Sequence, residues 1–163
     1  MIKRIGKAVC IAAAVPICFI AGCRAMLLVL EPALAEHKVF NEKHLAIMNV
    51  FKAWMIFLEM GNRVEDYFKR NGYKTAAIYG MGFLGERLLA QLRDTSIEVR
   101  YLIDKQPGSV YGDIPVCSIQ DGLEQVDVIV ITPVYNFYEI RKELKEETPS
   151  KLVSIEDIFK LDN

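Results

Sequence analysis

Residues 75–85 run Thr-Ala-Ala-Ile-Tyr-Gly-Met-Gly-Phe-Leu-Gly, and a helical pattern, Glu86 to Leu92, follows directly. A short apolar strand therefore enters a G-x-G-x-x-G turn that opens a helix. Each glycine has a distinct task in such a turn. Gly80 permits the tight bend, Gly82 lets backbone approach a pyrophosphate, and Gly85 lets helix and strand pack closely. Asp104 lies 24 residues after Gly80, at the end of a second apolar strand. An acid at about that spacing takes a ribose hydroxyl in dinucleotide sites. Glu86 falls in the first helical turn, where a carboxylate suits the helix dipole and competes with a bound phosphate.

Composition narrows the surroundings of this motif. The 163 residues leave room for one ordinary domain and an appendage. Residues 1–40 carry five basic and two acidic side chains, and residues 41–163 carry 15 basic and 19 acidic ones. The main body thus lacks the basic surplus of a nucleic-acid binder, and nucleic acid is not an expected partner. The four cysteines, Cys10, Cys18, Cys23 and Cys117, form neither a disulfide framework nor a Cys-x-x-Cys pair. The only histidines, His37 and His44, lie before the motif-bearing region. No metal site is expected from this ligand spacing.

Ala8 to Leu30 is a 23-residue apolar run broken by Arg24 and preceded by Lys3, Arg4 and Lys7. Its length and flanking charge predict an N-terminal membrane helix with a cytoplasmic N-terminus. Two other readings compete. Ile20-Ala21-Gly22-Cys23 resembles a lipoprotein processing signal, although the apolar run continues past Cys23. A buried helix of a soluble protein is the third, and a chain this short has little core to hide it. Pro16 tends to kink the segment, and a re-entrant path would keep the rest of the chain in the cytoplasm. That is the expected location of the soluble part.

Asn41 to Met60 reads as a helix apolar over well over half its circumference, with Leu45, Ile47, Met48, Val50, Phe51, Trp54, Met55, Phe57 and Leu58. Such a helix packs against an anchor, a partner copy or a lipid surface, and Trp54 suits a core equally. Gly61-Asn62 ends it, Asn62 and Glu65 form a capping-box pattern, and Asn71-Gly72 stops the helix that follows. The expected organisation is an anchor segment over 1–40, an amphipathic helix and linker over 41–61, and a globular domain over 62–163.

Within that domain, apolar and polar segments alternate. Strands are predicted at Thr75–Tyr79, Glu98–Ile103, Ile114–Cys117, Val126–Ile131 and Leu152–Ser154. Helices are predicted at Phe83–Arg93, Ile119–Gln125 and Tyr135–Glu147, with a closing helical turn from Ser154. Pro115 marks an edge strand, and Val126–Ile131 is apolar enough to be a buried parallel strand. The alternation predicts an α/β fold with a parallel sheet covered on both faces.

Residues 74–160 resemble the small Rossmann-like domains at the front of bacterial sugar acyltransferases and of polysaccharide-biosynthesis nucleotide-sugar epimerases. The resemblance rests on Ile78-Tyr79-Gly80-Met81-Gly82-Phe83-Leu84-Gly85, Leu102-Ile103-Asp104, Gly112-Asp113-Ile114-Pro115-Val116 and Asp127-Val128-Ile129-Val130-Ile131-Thr132. The layout also looks like small membrane-anchored proteins found with surface-glycan synthesis. The resemblance implies a single Rossmann-like domain that binds a nucleotide-sugar or NAD through Gly80, Met81, Gly82, Phe83, Leu84, Gly85, Asp104 and Thr132. It implies a membrane and glycan-biosynthesis enzymes as partners. Residues 41–60 are a candidate surface for homo-oligomers. Neither family's catalytic domain is present, and no catalytic residue is assigned.

Three further features bear on chemistry. Tyr138 and Lys142 stand at i and i+4, the spacing of short-chain dehydrogenases, but the segment comes too early and lacks a preceding serine. Cys117 has no His or Lys near it in sequence and reads as a small core residue. Thr132 ends the buried strand at its carboxyl side, where open α/β sheets bind ligands.

Overall fold

In the parallel sheet, the central strands carry two faces of small or branched apolar residues. Strand β1 (Thr75–Tyr79) lies between β2 (Glu98–Ile103) and β4 (Val128–Ile131). The two-residue β3 (Val116–Cys117) and β5 (Lys151–Ser154) form the edges, and the order is β3-β2-β1-β4-β5. Every pairing between these strands is parallel. The computed structural model describes residues 2–105 and 111–160, and the side chains of residues 2–21, 23 and 33 lie outside that description. The architecture is α/β with one five-stranded parallel sheet, consistent with a Rossmann-like fold.

Helices cover both faces. One layer holds α1 (Ile2–Glu59, through its residues from Val50 to Phe57), α2 (Val64–Arg70), α3 (Phe83–Leu92) and α5 (Ile155–Ile158). These close over Ala76, Ile78, Leu102, Val128 and Val130. The other holds α4 (Phe137–Glu147), whose Ile140 and Leu144 close over Ala77, Tyr79, Ile103, Ile129 and Ile131. In β2 a bulge between the partners of Ala76 and Ala77 leaves Arg100 as the extra residue. Val99 consequently packs with the first layer, and Tyr101 and Ile103 with the second. A simple two-residue period would have put all three on one face, and a bulge inverts that alternation locally.

The chain divides into two units, Met1–Lys43 and His44–Asn163. Within the second, the helical residues from His44 bury one stripe in the α/β core. Val50, Trp54 and Phe57 are buried, and Trp54 stacks on Phe159 at 4.6 Å between ring centroids. The partner of this helix is therefore the domain's own core, with Leu45, Met48, Met55 and Met60 left exposed. In the first unit the backbone of α1 is helical from Ile2. The membrane-helix expectation, the Ile20–Cys23 pattern and the Pro16 kink fall largely on residues whose side chains lie outside the description. Among the described residues no helix is long and apolar enough to cross a membrane.

The helix expected to start at Asn41 is the last part of one longer helix, Ile2–Glu59. From Gly61 onward local signals were accurate to within a residue or two, with two exceptions. The cap of α2 is displaced by one position: Arg63 N–H donates to Asp66 Oδ2 at 3.0 Å. Asn62 instead closes α1, its side-chain amide donating to the Phe57 carbonyl at 3.2 Å. Glu65 is freed for ion pairs with Lys69 (2.7 Å) and Arg63 (2.8 Å), and the Lys69 hydrogen bond, followed by the charge of Arg63, holds its carboxyl below the usual range. The expected helix at Ile119–Gln125 is only a 3₁₀ turn, Ile119–Asp121. Gly122 follows at a φ of 79° and ends it.

The amino-terminal ends of β1 and β4 are tied by one carboxylate. Asp127 Oδ2 accepts from Lys74 N (2.8 Å), Thr75 N (2.8 Å) and Thr75 Oγ1 (3.0 Å). The hydrogen bonds from Thr75 and Lys74 hold the Asp127 carboxyl below the ordinary Asp range. A depressed folded-state value contributes stability above the unfolded-state value, and that contribution is lost as pH falls through the folded one. Asp127→Asn should therefore lower the urea midpoint near neutral pH and flatten its decline below about pH 4, the unperturbed Asp range. Trp54→Ala should cost about 3–5 kcal/mol of unfolding free energy, measured by urea denaturation, because it empties a stacked core site.

Candidate functional site

The strand register assembles the site. Tyr79 of β1 pairs with Ile103 of β2 and with Ile131 of β4. The residues next in the chain, Gly80, Asp104 and Thr132, therefore emerge side by side at the carboxyl edge of the sheet. The chain runs from β1 outward to β2 and β3 on one side, and β4 and β5 lie on the other. This reversal next to β1 opens a crevice at the strand ends, the place where open α/β sheets bind ligands. A cavity of about 330 Å³ lies there, lined among others by Gly80, Gly82, Phe83, Leu84, Asp104 and Thr132. Of the eight residues expected from the sequence, these six line it. Met81 and Gly85 stand behind it, both buried.

The three glycines of the turn differ in what the fold asks of them. Gly80 has a φ of 87°, and a Cβ there would stand 2.8 Å from Pro133 Cγ. A Cβ on Gly85 would overlap the Gly80 carbonyl oxygen. Both must be glycine for α3 to leave β1 at this closeness. At Gly82 a Cβ meets nothing within 4 Å among the described residues, and φ is an ordinary −78°. Gly82 is the N-cap of α3, and among the described residues no side chain caps the helix there.

Asp104 turns inward to the loop. Its Oδ2 accepts from Met81 N at 2.9 Å, so the carboxylate at the ribose position also fixes the glycine turn. Tyr111 adds a second tie, its hydroxyl donating to the Met81 carbonyl at 3.3 Å. Thr132 is buried, and its hydroxyl lies 2.7 Å from the Gly80 carbonyl and 3.0 Å from that of Tyr79. The Thr132 proton is thereby committed to the turn, leaving only acceptor lone pairs for a ligand. Glu86 is half-buried and stands 4.0 Å from Arg87.

The remaining lining divides by chemistry. Ile47, Phe83, Pro133, Tyr135 and Ile140 make an apolar side, with Phe83 and Tyr135 both substantially exposed. Lys105 and Asn136 add polar groups. Tyr138 is 81% exposed and does not line the crevice, so its pairing with Lys142 plays no part in it. Cys117 is half-buried, donates to the Leu102 carbonyl at 3.3 Å, and its thiol is pushed up by burial. It is a poor nucleophile at neutral pH. Among the described residues no group of three or more His, Cys, Asp and Glu side chains gathers to hold a metal. What the arrangement offers is binding: a cradle of backbone, one carboxylate, and an apolar wall.

Tyr79, Pro133, Tyr135 and Asn136 had no place in the sequence-based site. Tyr79 had a signal, since a phenol ending an otherwise apolar buried strand is a polar group brought to the carboxyl edge. The others depend on the turn after β4, whose path the sequence did not specify. No protein-family model, curated protein or solved structure matches the chain.

The glycine turn yields a graded expectation. Gly85→Ala and Gly80→Ala should each lower the unfolding free energy by about 1–3 kcal/mol, the usual cost of overpacking and of a strained φ. Gly82→Ala should cost under about 1 kcal/mol, a small change of N-cap residue. Urea denaturation of the three variants checks the order.

Proposed function

We propose that this chain is a membrane-anchored, Rossmann-like protein that binds a nucleotide or nucleotide-sugar in the crevice, as an accessory to surface polysaccharide synthesis. Gly82 carries the reading. No contact among the described residues requires glycine there, yet a pyrophosphate lying against uncapped amides of α3 would require it. The apolar wall with Phe83 and Tyr135 suits the base or another planar group. The membrane location and the link to glycan enzymes rest on the sequence resemblance and on the apolar N-terminal run. The face of α1 bearing Leu45, Met48 and Met55 is available for contact with a second copy or a partner enzyme.

A second reading is a ligand-free scaffold. It is favoured by Asp104, which already satisfies the Met81 amide with its own carboxylate. A thermal-shift series on the full chain separates the two, with NAD, NADP, UDP-sugars, CoA and ATP. Ligand at a hundredfold its Kd should add about 2.7 kcal/mol of stability, and Gly82→Val should abolish the shift while remaining folded. A folded protein that shifts with none of these ligands would leave the scaffold reading in place.

A further inference from the structure

Tyr79 ends β1 with its ring on the α4 side of the sheet and is 3% exposed. Its hydroxyl is buried and meets no hydrogen-bond partner among the described residues. A buried phenol in that state has given up its bonds to water without replacement, and native proteins seldom leave such a group unused. Tyr79, Asp104 and Lys105 form a wall shared by the crevice and a second recess of about 200 Å³. That recess is completed by Ser118, Ile119, Gln120 and Glu143. The Tyr79 hydroxyl is pushed up by burial first, then by the negative charges of Glu143 and Asp104. It is therefore a proton donor at neutral pH, and it senses two carboxylates that border the same recess.

The lining selects a ligand class. Lys105 donates, while Asp104 and Glu143 accept. The Ser118 hydroxyl donates to Gln120 Oε1 at 3.0 Å, which leaves the Gln120 amide nitrogen to donate to a ligand. A phosphate placed here would face both carboxylates. A flat apolar ring would offer the Tyr79 hydroxyl no acceptor. A ring bearing several hydroxyls donates and accepts at once and meets both needs.

We propose that this recess is the subsite for a polyhydroxylated ring of the bound ligand, with the Tyr79 hydroxyl donating to one of its oxygens. The proposal rests on the nucleotide-binding reading above, and it adds the position and chemistry of the sugar. The ring has two sources, the ribose of a nucleotide or the hexose of a nucleotide-sugar.

Calorimetric titration of the full chain with UDP-glucose, UDP and NAD, in wild type, Tyr79→Phe and Gly82→Val, tests it. Tyr79→Phe should keep or raise the wild-type Tm, because the hydroxyl it removes meets no partner among the described residues. It should weaken binding about tenfold, the loss of one hydrogen bond. A loss shared by UDP and NAD assigns the recess to ribose, and a loss confined to UDP-glucose assigns it to hexose. Unchanged affinity in Tyr79→Phe, with binding abolished in Gly82→Val, overturns this inference and keeps the nucleotide site. A loss in Tyr79→Phe alone keeps the recess and removes the glycine turn from the site. A lowered Tm in Tyr79→Phe shows the hydroxyl paired in the free protein and counts against the proposal. Wild-type protein that binds none of the three removes both readings.

Discussion

The carbonyl of Gly80 is the point on which the site depends. The missing side chain of Gly85 lets α3 come down onto it, since any Cβ there would overlap the oxygen. The Thr132 hydroxyl reaches the same oxygen from the end of β4 at 2.7 Å, and Gly80 N–H donates to the Ile103 carbonyl of β2 at 2.8 Å. Three strand ends and one helix are thus referenced to a single residue. The left-handed φ of Gly80 is what turns that peptide across the sheet edge. Close approach of backbone to backbone tolerates no side chain, so the arrangement is available only to this spacing of glycines.

Two aspartates hold opposite ends of the sheet by the same means. Asp127 gathers the amino ends of β1 and β4 through two backbone amides and a hydroxyl. Asp104 gathers the carboxyl end of β2 and the glycine turn through the Met81 amide. In each case a short carboxylate satisfies backbone donors that the parallel ladder leaves unpaired at its ends. Asp104 thereby acquires a structural task in addition to any ligand contact. This dual use explains how a glycine turn stays ordered around a crevice of about 330 Å³.

Much of this was readable in the sequence because it is local. The strand of residues 75–79, the glycine turn, the helix behind it and the stops at Gly61 and Gly72 each follow from residues within a few positions of one another. The bulge at Arg100 was not, since it is set by pairing with β1 and not by β2 alone. The shift of the α2 cap from Asn62 to Arg63 had the same origin. Asn62 had two backbone ends within reach and closed α1. Trp54 was ambiguous in sequence, as an aromatic on a nearly all-apolar helix suits core and interface alike. Its stacking on Phe159, more than a hundred residues later, decided for the core.

The sequence by itself determined the α/β alternation, the glycine turn and the acid that follows it. Period and steric permission are properties of neighbouring residues. Only the tertiary structure decided which glycine the fold can spare, because that depends on what stands opposite each Cα: Pro133 at Gly80, the turn's own carbonyl at Gly85, open space at Gly82. Only it brought Tyr79, Asp104, Lys105 and Glu143 to one recess, because parallel register aligns strand ends that lie tens of residues apart in the chain.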